Sequence, residues 1–88
     1  MNITKSGYTW EEFLERYLID GEEFVFIYKD IKYHFSSHDD SNNNEIAELN
    51  FWTREKGYVN LEFPSRSALL RNARIKGKRI KDIWKDLV

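Results

Sequence analysis

The chain has 88 residues, of which 41% are apolar, 16% aromatic and 33% charged, with no cysteine and a formal net charge of −1. That length suits one small domain over 1–88, and so large an apolar share excludes an intrinsically disordered chain. The missing cysteine excludes disulfides, thiolate catalysis and cysteine-held metal, and no apolar run nears the roughly 18–20 residues that cross a bilayer. No secretory signal opens the sequence, so a cytoplasmic protein with no membrane contact is expected.

Taken in chain order, the first element is an amphipathic helix. Thr9 and Glu12 form a capping box, in which the threonine oxygen and the glutamate side chain each satisfy an orphan backbone N–H. Tyr8 and Phe13 stand at the two positions of a hydrophobic staple. Trp10, Phe13, Leu14, Tyr17 and Leu18 follow an i, i+3, i+4, i+7, i+8 stripe. Gly21 stops the helix.

Residues 22–36 read as a hairpin. A two-residue turn at Lys29-Asp30 pairs Tyr28 with Ile31, Phe26 with Tyr33 and Phe24 with Phe35, all on one face. Val25, Ile27, Lys32 and His34 occupy the other, wetter face. Ser36 to Asn44 contains no apolar residue and predicts a flexible surface loop at 36–45. Two alternating strands follow, at about 46–53 and 58–63. A three-residue loop, Glu55-Lys56-Gly57, places Thr53 opposite Val59, Phe51 opposite Leu61 and Leu49 opposite Phe63. Trp52 then points away from the core.

Pro64-Ser65 ends the sheet and Ser65 caps a second helix. Gly77 breaks it, and Ile80, Ile83, Trp84 and Leu87 define a last short helix. The expected fold is therefore α+β: a four-stranded antiparallel sheet, one N-terminal helix and two short C-terminal helices, in the order α-β-β-β-β-α-α.

The segment SALLRNARIKGKRIKDIW (Ser67 to Trp84) resembles the C-terminal signature, LLxNAxIxGKxLxxIW, of small uncharacterised proteins of Gram-positive bacteria and their mobile elements. FVFIYKDIKY (Phe24 to Tyr33) resembles their FxYNGKxY hairpin. Lys29-Asp30 replaces the usual Asn-Gly, and Arg79 a usual Ser cap. The resemblance implies this fold and carries no activity with it. Packing alone also explains the pattern, since Leu69, Leu70, Ile75, Ile80, Ile83 and Trp84 clamp two helices onto the sheet.

Catalytic chemistry has little to work with. Ser36 and Ser37 lie near His34 and His38, yet adjacency in a loop preorganises no nucleophile. The four glycines are isolated, so there is no phosphate-binding loop. His34, His38, Asp39 and Asp40 have metal-ligand chemistry but not the convergent placement that a helix gives to two His four apart. Glu11, Glu12, Glu15, Asp20, Glu22 and Glu23 read as a solvated acidic face rather than a glycosidase pair. A non-enzymatic protein with no cofactor and no metal is expected.

Charge offers more. Residues 1–63 carry −7 and residues 64–88 carry +6. The basic candidates for a nucleic-acid contact are Arg71, Arg74, Lys76, Lys78, Arg79, Lys81 and Lys85. Lys78, Lys81 and Lys85 are expected along the outward side of the last helix. The last helix offers no Asn, Gln, Ser or Thr to read base edges, so such binding would be electrostatic and tolerant of sequence. Against this stands a protein interface built on exposed aromatics, for which Trp52, Tyr58 and Tyr8 are the candidates. A protein-interaction module, binding a partner protein or a second copy of itself, is the leading expectation, and nucleic-acid binding the alternative.

Overall fold

Thr9 starts the first helix, and its Oγ1 accepts from the Glu12 amide (3.1 Å). The other half of the box differs from expectation: the Thr9 hydroxyl itself donates to Glu12 Oε1 (3.1 Å). In this computed structural model, which describes residues 7–87, α1 covers Trp10–Leu14 and then widens into a π turn over Glu15–Ile19. The Asp20 amide reaches back five residues to the Glu15 carbonyl (3.2 Å). Gly21, at φ +72°, ends the helix. Its positive φ is what calls for glycine; a Cβ there would stand 2.9 Å from Arg66 Nη1, the end of a flexible side chain.

Four antiparallel strands follow in meander order: β1 Phe24–Tyr28, β2 Ile31–Asp39, β3 Glu45–Thr53 and β4 Gly57–Phe63. The β1–β2 register is the expected one. Its turn forces both Lys29 (φ +49°) and Asp30 (φ +66°) into the left-handed region, the requirement of a type I′ turn. Lys29→Asn with Asp30→Gly is therefore expected to stabilise the fold by about 1–2 kcal/mol. A raised urea midpoint at unchanged m-value would show it.

Two local expectations are corrected. The polar stretch is not a loop over 36–45: pairing continues to Asp39↔Glu45, leaving only Asp40–Asn44 as the turn. That turn is tied from within, because Asp40 Oδ1 accepts from the amides of Asn42 (2.8 Å) and Asn44 (2.9 Å). These two amides hold the Asp40 carboxyl below its usual range. The β3–β4 register is also shifted by two residues from expectation. Thr53 pairs with Gly57, Phe51 with Val59, Leu49 with Leu61 and Ala47 with Phe63. A shift of two keeps every side chain on its face, so the apolar pattern fits either register. The choice falls to the turn: Thr53 Oγ1 accepts from the Lys56 amide (3.0 Å), and Gly57 takes φ +70°.

The C-terminal segment has its two short helices, but they are shorter than expected and a small hairpin lies between them. α2 covers Arg66–Asn72, and Ser65 Oγ accepts from the Ala68 amide (3.0 Å). The helix ends at extended Ala73, well before Gly77. Arg74–Ile75 (β5) and Lys78–Arg79 (β6) then form a miniature hairpin around Lys76-Gly77, both at positive φ. A single 3₁₀ helix over Lys81–Asp86 closes the described chain.

The described helices pack on the sheet face that carries Phe24, Phe26, Phe35 and Leu49, in a body 18 Å across its thinnest axis. The core fills the space between. Phe13 sits at its centre, with ring centroids 4.7 Å from Trp84, 5.1 Å from Phe24 and 5.3 Å from Tyr17. Phe26 and Phe35 approach it edge-on from the sheet. No helix among the described residues is long and apolar enough to cross a membrane.

Candidate functional site

The sheet's outer face is set by the two-residue period of its strands. When Phe51 and Val59 face the core, Trp52 and Tyr58 must face away, and the register sets them side by side. Trp52 is 61% exposed and Tyr58 67%. Carrying the β2–β3 register one step further brings Lys32 alongside Trp52, with Ile27 opposite Lys32 on β1. The next row runs Val25, His34, Asn50, Asn60, and the third carries Ser36, Glu48 and Glu62. Val25 is itself 50% exposed. The face thus grades from aromatic and cationic, near the turn of Arg54 and Lys56, through amides, to carboxylates at the far end.

Tyr8, the third interface candidate, does not join this surface. Its ring meets Phe24 edge-on at 5.6 Å and lies under the Arg16 guanidinium at 5.2 Å. Its carbonyl accepts from Trp84 Nε1 (3.2 Å). Tyr8 therefore belongs to the helical side, joined to the core.

The seven cations of the tail are all exposed but form no single stripe. Arg71 lies in the last turn of α2, Arg74 on β5, Lys76 in the turn, Lys78 and Arg79 on β6, and Lys81 and Lys85 on the 3₁₀ helix. The expected outward row of Lys78, Lys81 and Lys85 fails because Lys78 is in a strand. No helix–turn–helix stands among the described residues to enter a groove. The fold instead gathers Arg71, Arg79 and Lys81 around one cleft, with Trp10, Leu14, Leu18 and Leu70. Arg74 and Lys76 line a different one with Tyr33 and Phe51.

No protein-family model, curated protein or solved structure matches the chain. The site has to be read from its own geometry.

The histidines do not converge. His34 Nε2 lies 3.4 Å from Glu23 Oε2, and His38 Nδ1 lies 2.9 Å from Glu48 Oε1, on separate strand positions. No group of three or more His, Cys, Asp and Glu among the described residues could hold a metal ion. The most connected polar cluster is centred on Arg66. Its Nε lies 2.9 Å from Glu45 Oε1, its amide donates to the same oxygen (3.1 Å), and its Nη1 donates to Ser37 Oγ (3.0 Å). These contacts fasten α2 to the polar end of β2 and β3, so the cluster is accounted for by structure.

The sequence pattern had already placed Trp52, Val25, Ile27, Lys32 and His34 on the outer face. The Asn50–Asn60 pair escaped it, because that pair appears only in the corrected register. The Trp10–Leu14–Leu18 cleft escaped it too, since those residues are indistinguishable from core in a helical stripe.

Proposed function

We propose that the protein is a non-enzymatic interaction module that binds a partner protein through the open face of its sheet. One observation carries this reading: Trp52 and Tyr58 stand adjacent and largely solvated on a face that no described element covers. Tyr and Trp are the residues most enriched at interface hot spots. Each buries about 150–250 Å² when covered, a gross gain of roughly 4–6 kcal/mol before the costs of association. The gradient states what the partner offers: apolar surface edged with carboxylates over Trp52, Tyr58 and Lys32, hydrogen-bonding groups over Asn50 and Asn60, and cations toward Glu48 and Glu62.

Nucleic acid fits this face less well. Glu48 and Glu62 repel phosphate on the face itself, and the tail cations are divided between separate clefts. The resemblance of the Ser67–Trp84 segment supports a setting in the cytoplasm of a Gram-positive bacterium or on its mobile elements.

Trp52→Ala is expected to change folding stability by under about 1 kcal/mol, the worth of one cross-strand pair. It should weaken partner binding at least tenfold, the scale of a hot spot. Affinity capture from native cytoplasm with the wild-type chain, Trp52→Ala and Tyr58→Ala tests this. A protein retained by the wild type and lost by both variants supports the reading. Recovery of nucleic acid alone, or turnover of a substrate, would refute it.

A further inference from the structure

An apolar cleft on the helical side is walled by cations of the basic part of the chain and floored by the first helix, whose neighbouring face carries carboxylates. Its floor is Trp10, Leu14 and Leu18 from the first helix and Leu70 from α2, around a volume of about 480 Å³. The three first-helix residues lie at i, i+4 and i+8. They pack on the core below and remain half-exposed above. Arg71, Arg79 and Lys81 form the far wall. Arg79 also pairs with Asp82 (3.2 Å), leaving Arg71 and Lys81 as the clearer cationic contributors. On the first helix the next positions round from Trp10 and Leu14 are Glu11 and Glu15, both exposed and about 100° further about the axis. The cleft's wall is thus basic, and the helix face just outside its floor carries carboxylates, of which Glu15 also borders a second cleft with Glu12 and Arg16.

We propose that this cleft is the interface of a homodimer, in which each copy's first helix lies against the other's cationic wall. A two-fold interface must be self-complementary, since the same patch meets itself. An axis running along the cleft meets that demand. It turns the apolar floors toward each other and exchanges the walls, so that Glu11 and Glu15 of one copy face Arg71 and Lys81 of the other. An axis across the cleft would set acid against acid, so charge selects the orientation. The opposed charges of the two chain segments, nearly cancelled in the total, then have a use. A single cleft of this volume gives a small contact, so the dimer should be reversible. The outer sheet face lies on the opposite side of the molecule and stays open in both copies. The dimer therefore does not depend on the partner reading above.

Sedimentation of the full chain from about 1 µM to about 1 mM, a span suited to a small interface, tests this. The mass should move from the 10.7 kDa of the monomer toward twice that value. Arg71→Glu with Lys81→Glu, and separately Glu11→Lys with Glu15→Lys, should each shift the association midpoint at least tenfold toward higher concentration. All four side chains are exposed, so both variants should keep the wild-type circular dichroism spectrum. An equimolar mixture of the two variants should associate again, because one now carries two acidic walls and the other two basic ones. A chain that stays monomeric throughout, or a dimer indifferent to both charge reversals, would overturn the proposal. So would a mixture that fails to associate. A dimer abolished by Trp52→Ala and untouched by the reversals would also overturn it, moving the contact to the sheet and leaving that face's role as a binding surface intact.

Discussion

Phe13→Ala is expected to cost about 3–5 kcal/mol, the range for deleting a buried aromatic ring. Phe13 is fully buried, and six other rings lie within 6.1 Å of its centroid: Trp10, Tyr17, Phe24, Phe26, Phe35 and Trp84. Those neighbours come from the first helix, β1, β2 and the 3₁₀ helix, so the void would open where every layer meets. None of them can swing in to fill it without leaving its own contacts. A domain of this size has only about 5–15 kcal/mol of total stability. The variant should therefore be partly or wholly unfolded at 37 °C, with near-UV circular dichroism lost and the urea midpoint sharply lowered. A loss of less than about 1.5 kcal/mol would show that the layers can close over the gap.

Tyr17→Phe is expected to act in the opposite direction. Tyr17 is fully buried, and its hydroxyl has no hydrogen-bond partner among the described protein groups. Removing a buried, unsatisfied polar atom relieves a desolvation penalty of about 1–3 kcal/mol. The gain should grow in alkali. Burial pushes the Tyr17 phenol well above its ordinary value near 10, and the Glu45 charge adds to the rise while Arg66 opposes it. The folded state thus holds this proton more tightly than the unfolded chain. Its contribution is intact below pH 10 and is lost as the pH rises through the raised folded value, at about 1.4 kcal/mol per pH unit. Burial raises Tyr33 in the same direction, so Tyr17→Phe should reduce the alkaline slope without abolishing it. Urea titrations at neutral and alkaline pH measure both effects. A destabilisation beyond about 1 kcal/mol at pH 7 would mean that the hydroxyl is satisfied after all.

The legible parts of the fold are those where local chemistry and burial agree. Thr9 and Ser65 name their helix starts, and the β1–β2 register follows from six apolar residues flanking a two-residue gap. The β3–β4 register was not legible, because Phe51 can oppose Val59 or Leu61 without exposing anything, and one hydroxyl at Thr53 decides. The polar stretch misled for a different reason. Ser37 and Glu45 occupy inward positions where hydrophobic residues are the rule, and Arg66 supplies their partner from 21 residues beyond Glu45. Long-range polar satisfaction leaves no periodic trace. In the tail, apolar spacing suggests two helices, but Ala73 extends and Lys76 takes φ +51°, folding a hairpin into the gap. Of the candidate surface, Trp52 was visible from alternation, whereas its pairing with Tyr58 needed the true register.

The hydrogen bond from Trp84 Nε1 to the Tyr8 carbonyl joins residues 76 positions apart, and this bears on how the chain survives its own synthesis. Phe13 and Phe26 leave the ribosome long before Trp84, the ring that covers them both. At about 5–20 residues per second, the wait between Phe13 and Trp84 lasts roughly 4–14 s. Hairpins and short helices form in microseconds, so the sheet and first helix have time to assemble around an unclosed core. Any nascent chain halted before Trp84 presents a cluster of aromatic rings to solvent. That truncated species, rather than the finished molecule, is the form with the strongest claim on a chaperone or a protease.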